Sequence, residues 1–290
     1  ETVYKKSFSQ NFYFKAIRLR MVEISKKYKL GTRRFGLINW IGLWTLYKKE
    51  VLRFLIVWIQ TLLSPIVSSL LFLLVLSVAI GSGRSDMLGY PFITFLAPGL
   101  IAMQIIQQAF SHSSSSFMIG KIQGNIVDIL YAPLSAGEVT LAITLAATTR
   151  SFMIGIVSIF VFYFLVDIEI RNFYVLIFYT FISSFILGLV GIITGLWAEK
   201  FDHMATITNF IIVPLSFLSG TFYTINNLPE FLQVVSKCNP FFYMIDGFRY
   251  GFLEKSDGSI LVGAIYLTVL AIILWFVTYL LYKKGYKIKS

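Results

Sequence analysis

Residues 54–80 read FLIVWIQTLLSPIVSSLLFLLVLSVAI, with no charged side chain anywhere in the run. An uninterrupted apolar stretch of this length reads as a membrane-crossing helix, because about 20 residues rising 1.5 Å each span about 30 Å of hydrocarbon. The pattern recurs at about 91–110, 141–166 (with Arg150 inside it), 173–197, 206–223 and 259–282. The fold class expected is therefore an all-α integral membrane protein with six transmembrane helices. Composition agrees: 13% of residues are charged, against about 25% in a soluble domain. The single cysteine, Cys238, excludes an intrachain disulfide and a cysteine-based zinc site.

The net charge is +11. In a soluble chain that would point to nucleic acid. In a membrane chain it reports topology and contact with anionic lipid heads, so no nucleic-acid partner is expected. With six spans, Arg84, Arg171, Lys237, Arg249 and Lys255 fall on one side, and the remaining Lys and Arg, apart from Arg150, fall on the other. The positive-inside rule makes the basic side cytoplasmic and places both termini there. Most of that weight comes from the basic segment 1–36, in which no signal peptide is expected because no apolar core follows the early charges.

Around the spans, several shorter segments carry patterns of their own. Residues 37–50 place Trp40 and Trp44 at helical spacing, with Lys48 and Lys49 able to snorkel, and predict an amphipathic helix lying on the membrane surface. Gln104, Gln107 and Gln108 predict that the second span faces protein or a wet cavity, and SHSSSS at 111–116 is expected to end it. His112 reads as a polar helix-end residue, with no metal or catalytic role. Arg150 would cost about 2.5–3.5 kcal/mol at the centre of a span, so it is placed near the cytoplasmic end or in a protein-lined cleft. Gly191 and Gly195 allow close helix approach, either inside one subunit or between two. Residues 226–252 hold two short amphipathic stretches separated by Asn239-Pro240, too short to span, and read as re-entrant or flat on the far interface.

One segment, 118–134, lies between two spans on the side assigned as cytoplasmic. Ile122, Ile126, Ile129 and Leu130 recur on one helical face, Gly124 weakens the helix and Pro133 ends it. Ser135-x-x-Glu138 predicts a capping box for the next helix. A short half-polar helix at a membrane face suits docking of a soluble partner; it equally fits an interfacial linker with none, in which Asn125 and Asp128 are merely solvated.

No Walker A sequence, HExxH or GxSxG is present, and no His/Cys set stands at metal spacing, so no catalytic or metal-binding residue is expected. No Asp or Glu interrupts the interior of a span, which argues against a proton-coupled carrier. Sodium coupling through carbonyls and hydroxyls stays open. The pattern leaves a permease-like protein energised from outside the chain; an ATP-independent secondary carrier or scramblase-like protein is the alternative.

The segments KKEVLRFLIVWIQTLLSPI (48–66), FLAPGLIAMQII (95–106), FMIGKIQGNIVDILYAPLS (117–135), FDHMATITNFIIVPLSFLSGTFYTINNLP (201–229) and NPFFYMIDGFRYGF (239–252), in this order, resemble the permease subunit of ABC-2-type exporters. The likeness is nearest to the bacterial branch of multidrug-type and uncharacterised transport permeases. It covers about residues 40–285 and has no counterpart in the first 35. The resemblance implies a bacterial inner-membrane location, a transmembrane domain at 37–290 and a homodimer, with a heterodimer open. It also implies two separate ATP-binding subunits that carry ATP-Mg, no cofactor being bound by this chain. The resemblance makes 37–50 the connecting helix and 118–134 the coupling helix, with Lys121, Ile122, Gly124, Asn125, Asp128, Leu130 and Pro133 docking the ATP-binding subunit. Residues 226–252 become an outer closing element, with Asn239, Pro240, Asp246 and Arg249 as gate candidates. Gln104, Gln108, Ser216 and Tyr223 are the expected lining of a path for a lipid-like, amphipathic or glycan-type cargo.

Overall fold

The computed structural model describes residues 36, 38–80 and 87–287. The basic segment predicted at 1–36 lies outside the described residues except for Gly36, as do residues 81–86 between the first two expected spans, Arg84 included. All the helices named below belong to one compact unit that begins at Trp40. Among the described residues the regular structure is helical, with only an isolated bridge between Met87 and Tyr90.

The helices are α1 (Trp40–Ile56), α2 (Ser64–Ile80), α3 (Phe92–Ile122), α4 (Ile126–Tyr131), α5 (Ala136–Tyr163), α6 (Phe173–Trp197), α7 (Phe201–Ile207), α8 (Val213–Phe217), α9 (Glu230–Cys238), α10 (Pro240–Leu253) and α11 (Ile260–Lys283). Ile59–Leu63 and Thr208–Ile212 are π-helical insertions ahead of α2 and α8. Both precede a proline, Pro65 and Pro214, whose missing N–H disturbs the regular ladder. Among the described residues five helices are long and apolar enough to cross a membrane: Ile59–Ala79, Phe92–Ile122, Ala136–Tyr163, Phe173–Trp197 and Ile260–Lys283.

α6 occupies the range expected from sequence, and the capping box is present: Ser135 N–H donates to Glu138 Oε2 at 2.7 Å and Glu138 N–H to Ser135 Oγ at 3.4 Å. Four ranges differ. The surface helix predicted at 37–50 runs from Trp40 to Ile56, because Glu50 and Arg53 pair with each other at 3.0 Å instead of breaking it. The helix expected to end at the serines runs on to Ile122: Ser114 and Ser115 hydroxyls donate to the Phe110 and His112 carbonyls one turn back. The helix predicted at 118–134 is split; its first turn ends α3 and its remainder is α4, with Gly124 at φ +75° between them. The span predicted at 206–223 is helical over 201–217, about 25 Å long, and 218–223 is a turn with Gly220 at φ +75°.

The main core joins α3, α5, α6, α10 and α11 through Phe95, Ile105, Phe110, Phe162, Tyr179, Phe248 and Leu267. The Gly191/Gly195 pair works inside the subunit. A Cβ on Gly191 would lie 2.6 Å from the Phe110 carbonyl oxygen, and one on Gly195 would lie 2.7 Å from Phe117 Cβ. The serines of α3 are small for the same reason, so two long helices touch backbone to backbone. A smaller core at one end gathers Leu43 and Leu46 of α1, Phe117, Ile126, Val139, Ile143, Ile192, Leu196 and Tyr282. At the opposite end Tyr90 OH donates to the Leu253 carbonyl, Arg171 N–H to the Gly251 carbonyl and Lys255 Nζ to the Leu88 carbonyl. The bundle thus has two chemically distinct ends, and the last described residues lie with the first: Lys287 pairs with Glu199, just after α6.

Candidate functional site

At the first of these ends α4 rests on the smaller core through buried Ile126 and half-buried Ile129. Its other face is open: Val127 is 41% exposed, Leu130 37% and Tyr131 86%, with Ile122 55% exposed just before the break. Asn125, Asp128 and Pro133 are exposed beside them, and Asn125 Nδ2 donates to Gln123 Oε1. Gly124 has open space around it, so its requirement for glycine is conformational. Lys121 is turned the other way: its ammonium donates to the Leu196 and Ala198 carbonyls and closes the C-terminal end of α6, where a cation also suits the helix dipole. The open face of α4 is therefore an apolar patch edged by Asn125 and Asp128, and Tyr131 belongs to it although the periodicity alone did not single it out. Trp40 and Trp44 of α1 are exposed at 67% and 62%, and Lys48 and Lys49 are exposed on the same helix, while Leu43, Leu46, Glu50 and Phe54 face inward.

Between the start of the first span and the second half of α3 lies a polar cleft of about 820 Å³. Gln104, Gln107, Gln108, Ser111, His112 and Ser115 line it from α3, Gln60, Thr61, Ser64 and Ser68 from the first span, with Arg53 and Arg150 added. Arg53 bonds Glu50 and the His112 carbonyl, and Ser116 Oγ donates to Glu50 Oε2 at 2.8 Å. Arg150 donates to Gln108 Oε1. It lies 14 residues into α5, and Gln108 the same distance from the end of α3. At 1.5 Å per residue both stand about 21 Å from the α4 end. The protein-lined cleft, of the two placements open for Arg150, is the one observed. His112 is fully buried in mid-helix, edge-on to Phe54 at 5.6 Å, rather than at a helix end. Among the described residues no group of three His, Cys, Asp or Glu side chains is placed to hold a metal.

Of the four residues expected to line a path, the cleft brings together Gln104 and Gln108. Ser216 is fully buried, bonding back to the Ile212 carbonyl at 2.7 Å, and Tyr223 is half-buried in the turn after α8. The signal that could have found the rest of the cleft is the polar series Gln60, Ser64, Ser68 in the first span, spaced by one helical turn.

At the opposite end, Asn239 caps α10 by accepting from Phe241 N–H at 3.0 Å while its amide donates to the Leu215 carbonyl and Ser219 Oγ. Pro240 is the first residue of that helix. Asp246 and Arg249, which their spacing would let pair, have separate tasks. Asp246 accepts from Asp257 N–H and Gly258 N–H, each at 3.0 Å, shaping the turn before α11. Arg249 is buried over the Phe95 ring at 3.9 Å and donates to the Gly220 carbonyl at 2.8 Å, pinning the turn after α8.

Residues 42–253, covering α1 to α10, match the ABC-2 type transporter family. The chain is 31% identical to the inner membrane transport permease YadH of Escherichia coli K12 over 253 residues, 87% of this chain and 99% of that protein. It is 25% identical to nodulation protein J of Rhizobium meliloti (73% of this chain, 80% of that one) and 24% identical to nodulation protein J of Rhizobium leguminosarum bv. viciae (76% and 84%). A helical bundle with membrane-length spans, matched over nearly the whole of a named permease, leads to one assignment: the chain belongs to the ABC-2 type transporter family.

Proposed function

We propose that this chain is the membrane-spanning subunit of an ABC exporter in the bacterial inner membrane, driven by a separate ATP-binding subunit that seats on α4. The observation that carries this is the open apolar face of α4 (Val127, Leu130, Tyr131), anchored by Ile126 on the core that also holds the ends of α3, α5, α6 and α11. A push on α4 is felt directly by four long helices, since packed interiors transmit displacement instead of absorbing it. In this reading 201–217 is a sixth, shorter crossing, both chain ends face the cytoplasm, and α9 and α10 form the outer closing element. Two copies of the chain work with two ATP-binding subunits, which hold ATP-Mg. Cargo is lipid-like, amphipathic or glycan-type.

The test is reconstitution of the full chain with an ATP-binding partner. Leu130→Asp and Tyr131→Asp place a charge in the exposed patch without touching the core, and are expected to abolish partner binding and coupled ATP hydrolysis while the helical content stays. Partner binding that survives both changes would refute the docking assignment. Gradient-driven transport by the purified chain alone would refute the ATP-driven reading and leave the secondary carrier or scramblase-like alternative.

A further inference from the structure

We infer that the polar cleft is a binding site for the anionic, phosphate-bearing head of a membrane amphiphile, with Arg150 as its principal contact; the inference deepens the permease reading and rests on it. Arg53 has Glu50 as counterion at 3.0 Å, whereas among the described residues Arg150 has no acidic partner within ion-pair distance. Arg150 is 8% exposed, and its Nε makes no hydrogen bond. A guanidinium midway along a membrane-length helix is expensive, Gln108 offers it a neutral acceptor and no counter-charge, and ionisable residues inside spans mark ligand paths.

Unused hydrogen-bonding capacity points the same way. Gln107 Nε2 is buried and unpartnered, and it lines the same cleft. Guanidinium forks and amide donors match phosphate oxygens, and arginine binds them in pairs. The apolar part of the ligand has a place at the cleft's open side. Val57, in the turn before the first span, and Leu63 and Val67, on the same helical stretch as Gln60 and Ser64, are 47%, 47% and 44% exposed. A head held by Arg150 therefore leaves its tails against a lipid-facing surface. The volume, about 820 Å³, falls in the range of about 300–1,000 Å³ usual for ligand pockets.

The experiment is native mass spectrometry of the detergent-solubilised full chain, without any ATP-binding subunit, titrated with dihexanoyl phosphatidic acid, dihexanoyl phosphatidylcholine and inorganic phosphate. Wild-type protein is expected to retain phosphatidic acid and not phosphatidylcholine. Arg150→Gln is expected to weaken that retention by about tenfold or more, as loss of a charged hydrogen bond does, and Arg150→Lys by less. Should Arg150→Gln not fold, Gln107→Met removes an amide nitrogen that bonds nothing in the free protein and is expected to weaken binding severalfold. Equal retention of both lipids, or retention unchanged in the variants, overturns the inference. Displacement of phosphatidic acid by an equal concentration of inorganic phosphate overturns it too, since the site would then take a free anion. Leu130→Asp is expected to leave lipid retention unchanged, so failure of the docking reading and failure of this one are separately visible.

Discussion

Replacing Gly124 by alanine distinguishes two geometries by the sign of the effect. Were 118–134 one continuous helix, alanine would stabilise it by about 0.5–1 kcal/mol, the helix-propensity advantage over glycine. In the structure Gly124 has φ +75° and a Cβ there would meet nothing within 4 Å. The substitution therefore costs only the left-handed conformation, roughly 1–2 kcal/mol for a residue with a Cβ. No contact term adds or subtracts. That energy falls on the segment held by Val127 N–H to the Gly124 carbonyl at 3.3 Å and Asp128 N–H to the Asn125 carbonyl at 3.1 Å. A shift of one to two kcal/mol multiplies a local opening equilibrium about 5–30-fold. Hydrogen–deuterium exchange of the full chain in nanodiscs should show amides 125–132 exchanging faster by that factor in Gly124→Ala. Protection at the Phe95–Phe110 end of α3 should stay unchanged. Gly124→Asn should recover most of the loss, because asparagine tolerates the left-handed region. Slower exchange in Gly124→Ala than in wild type would refute the broken geometry.

Gly191→Ala puts a methyl 2.6 Å from the Phe110 carbonyl oxygen, so α3 and α6 must part; an overpacking loss of about 1–3 kcal/mol is expected. Thermal unfolding of monomeric protein in detergent reads it, and unchanged monomer stability with altered cross-linking would instead place the glycines between subunits. Arg249→Met removes the bond to the Gly220 carbonyl and the stacking on Phe95; faster proteolysis or exchange at 218–224 is expected, with Arg249→Lys intermediate, and an unchanged turn would contradict the pinning role. Lys287 pulls the Glu199 carboxyl below its usual range by hydrogen bonding, and Glu199 raises the Lys287 ammonium in return. A depressed acid contributes above its unfolded titration and is lost as pH falls through the folded one; a raised base contributes below its unfolded titration and is lost as pH rises through the folded one. The tie between the C-terminal turn and the link 198–200 between α6 and α7 should thus hold between those limits and weaken in high salt, both groups being exposed. Spin-label distances between the two segments across that pH range check it, and a distance independent of both pH and salt contradicts it.

The bundle's membrane character and the position of most of its helices were legible because they depend on local terms. In lipid each segment must satisfy its own backbone, so an apolar stretch of sufficient length is helical wherever it packs. The bounds of α6, the Ser135–Glu138 capping box and the Asn239 break before α10 follow from such nearby signals. Only the tertiary structure settled what depends on residues distant in sequence. The serines of 111–116 look like a terminus until Gly191 and Gly195 lie against them, when their smallness becomes a packing requirement of a longer helix. Lys121 looks like a docking cation until the carbonyl end of α6 is found beside it, and Asp246 and Arg249 look like a pair until each meets a different turn. Arg150 joins Gln108 across 42 positions. Helix formation is decided within a few turns, whereas the partner of a buried polar group is whichever element the packing brings within 3 Å or so, and no local pattern encodes that.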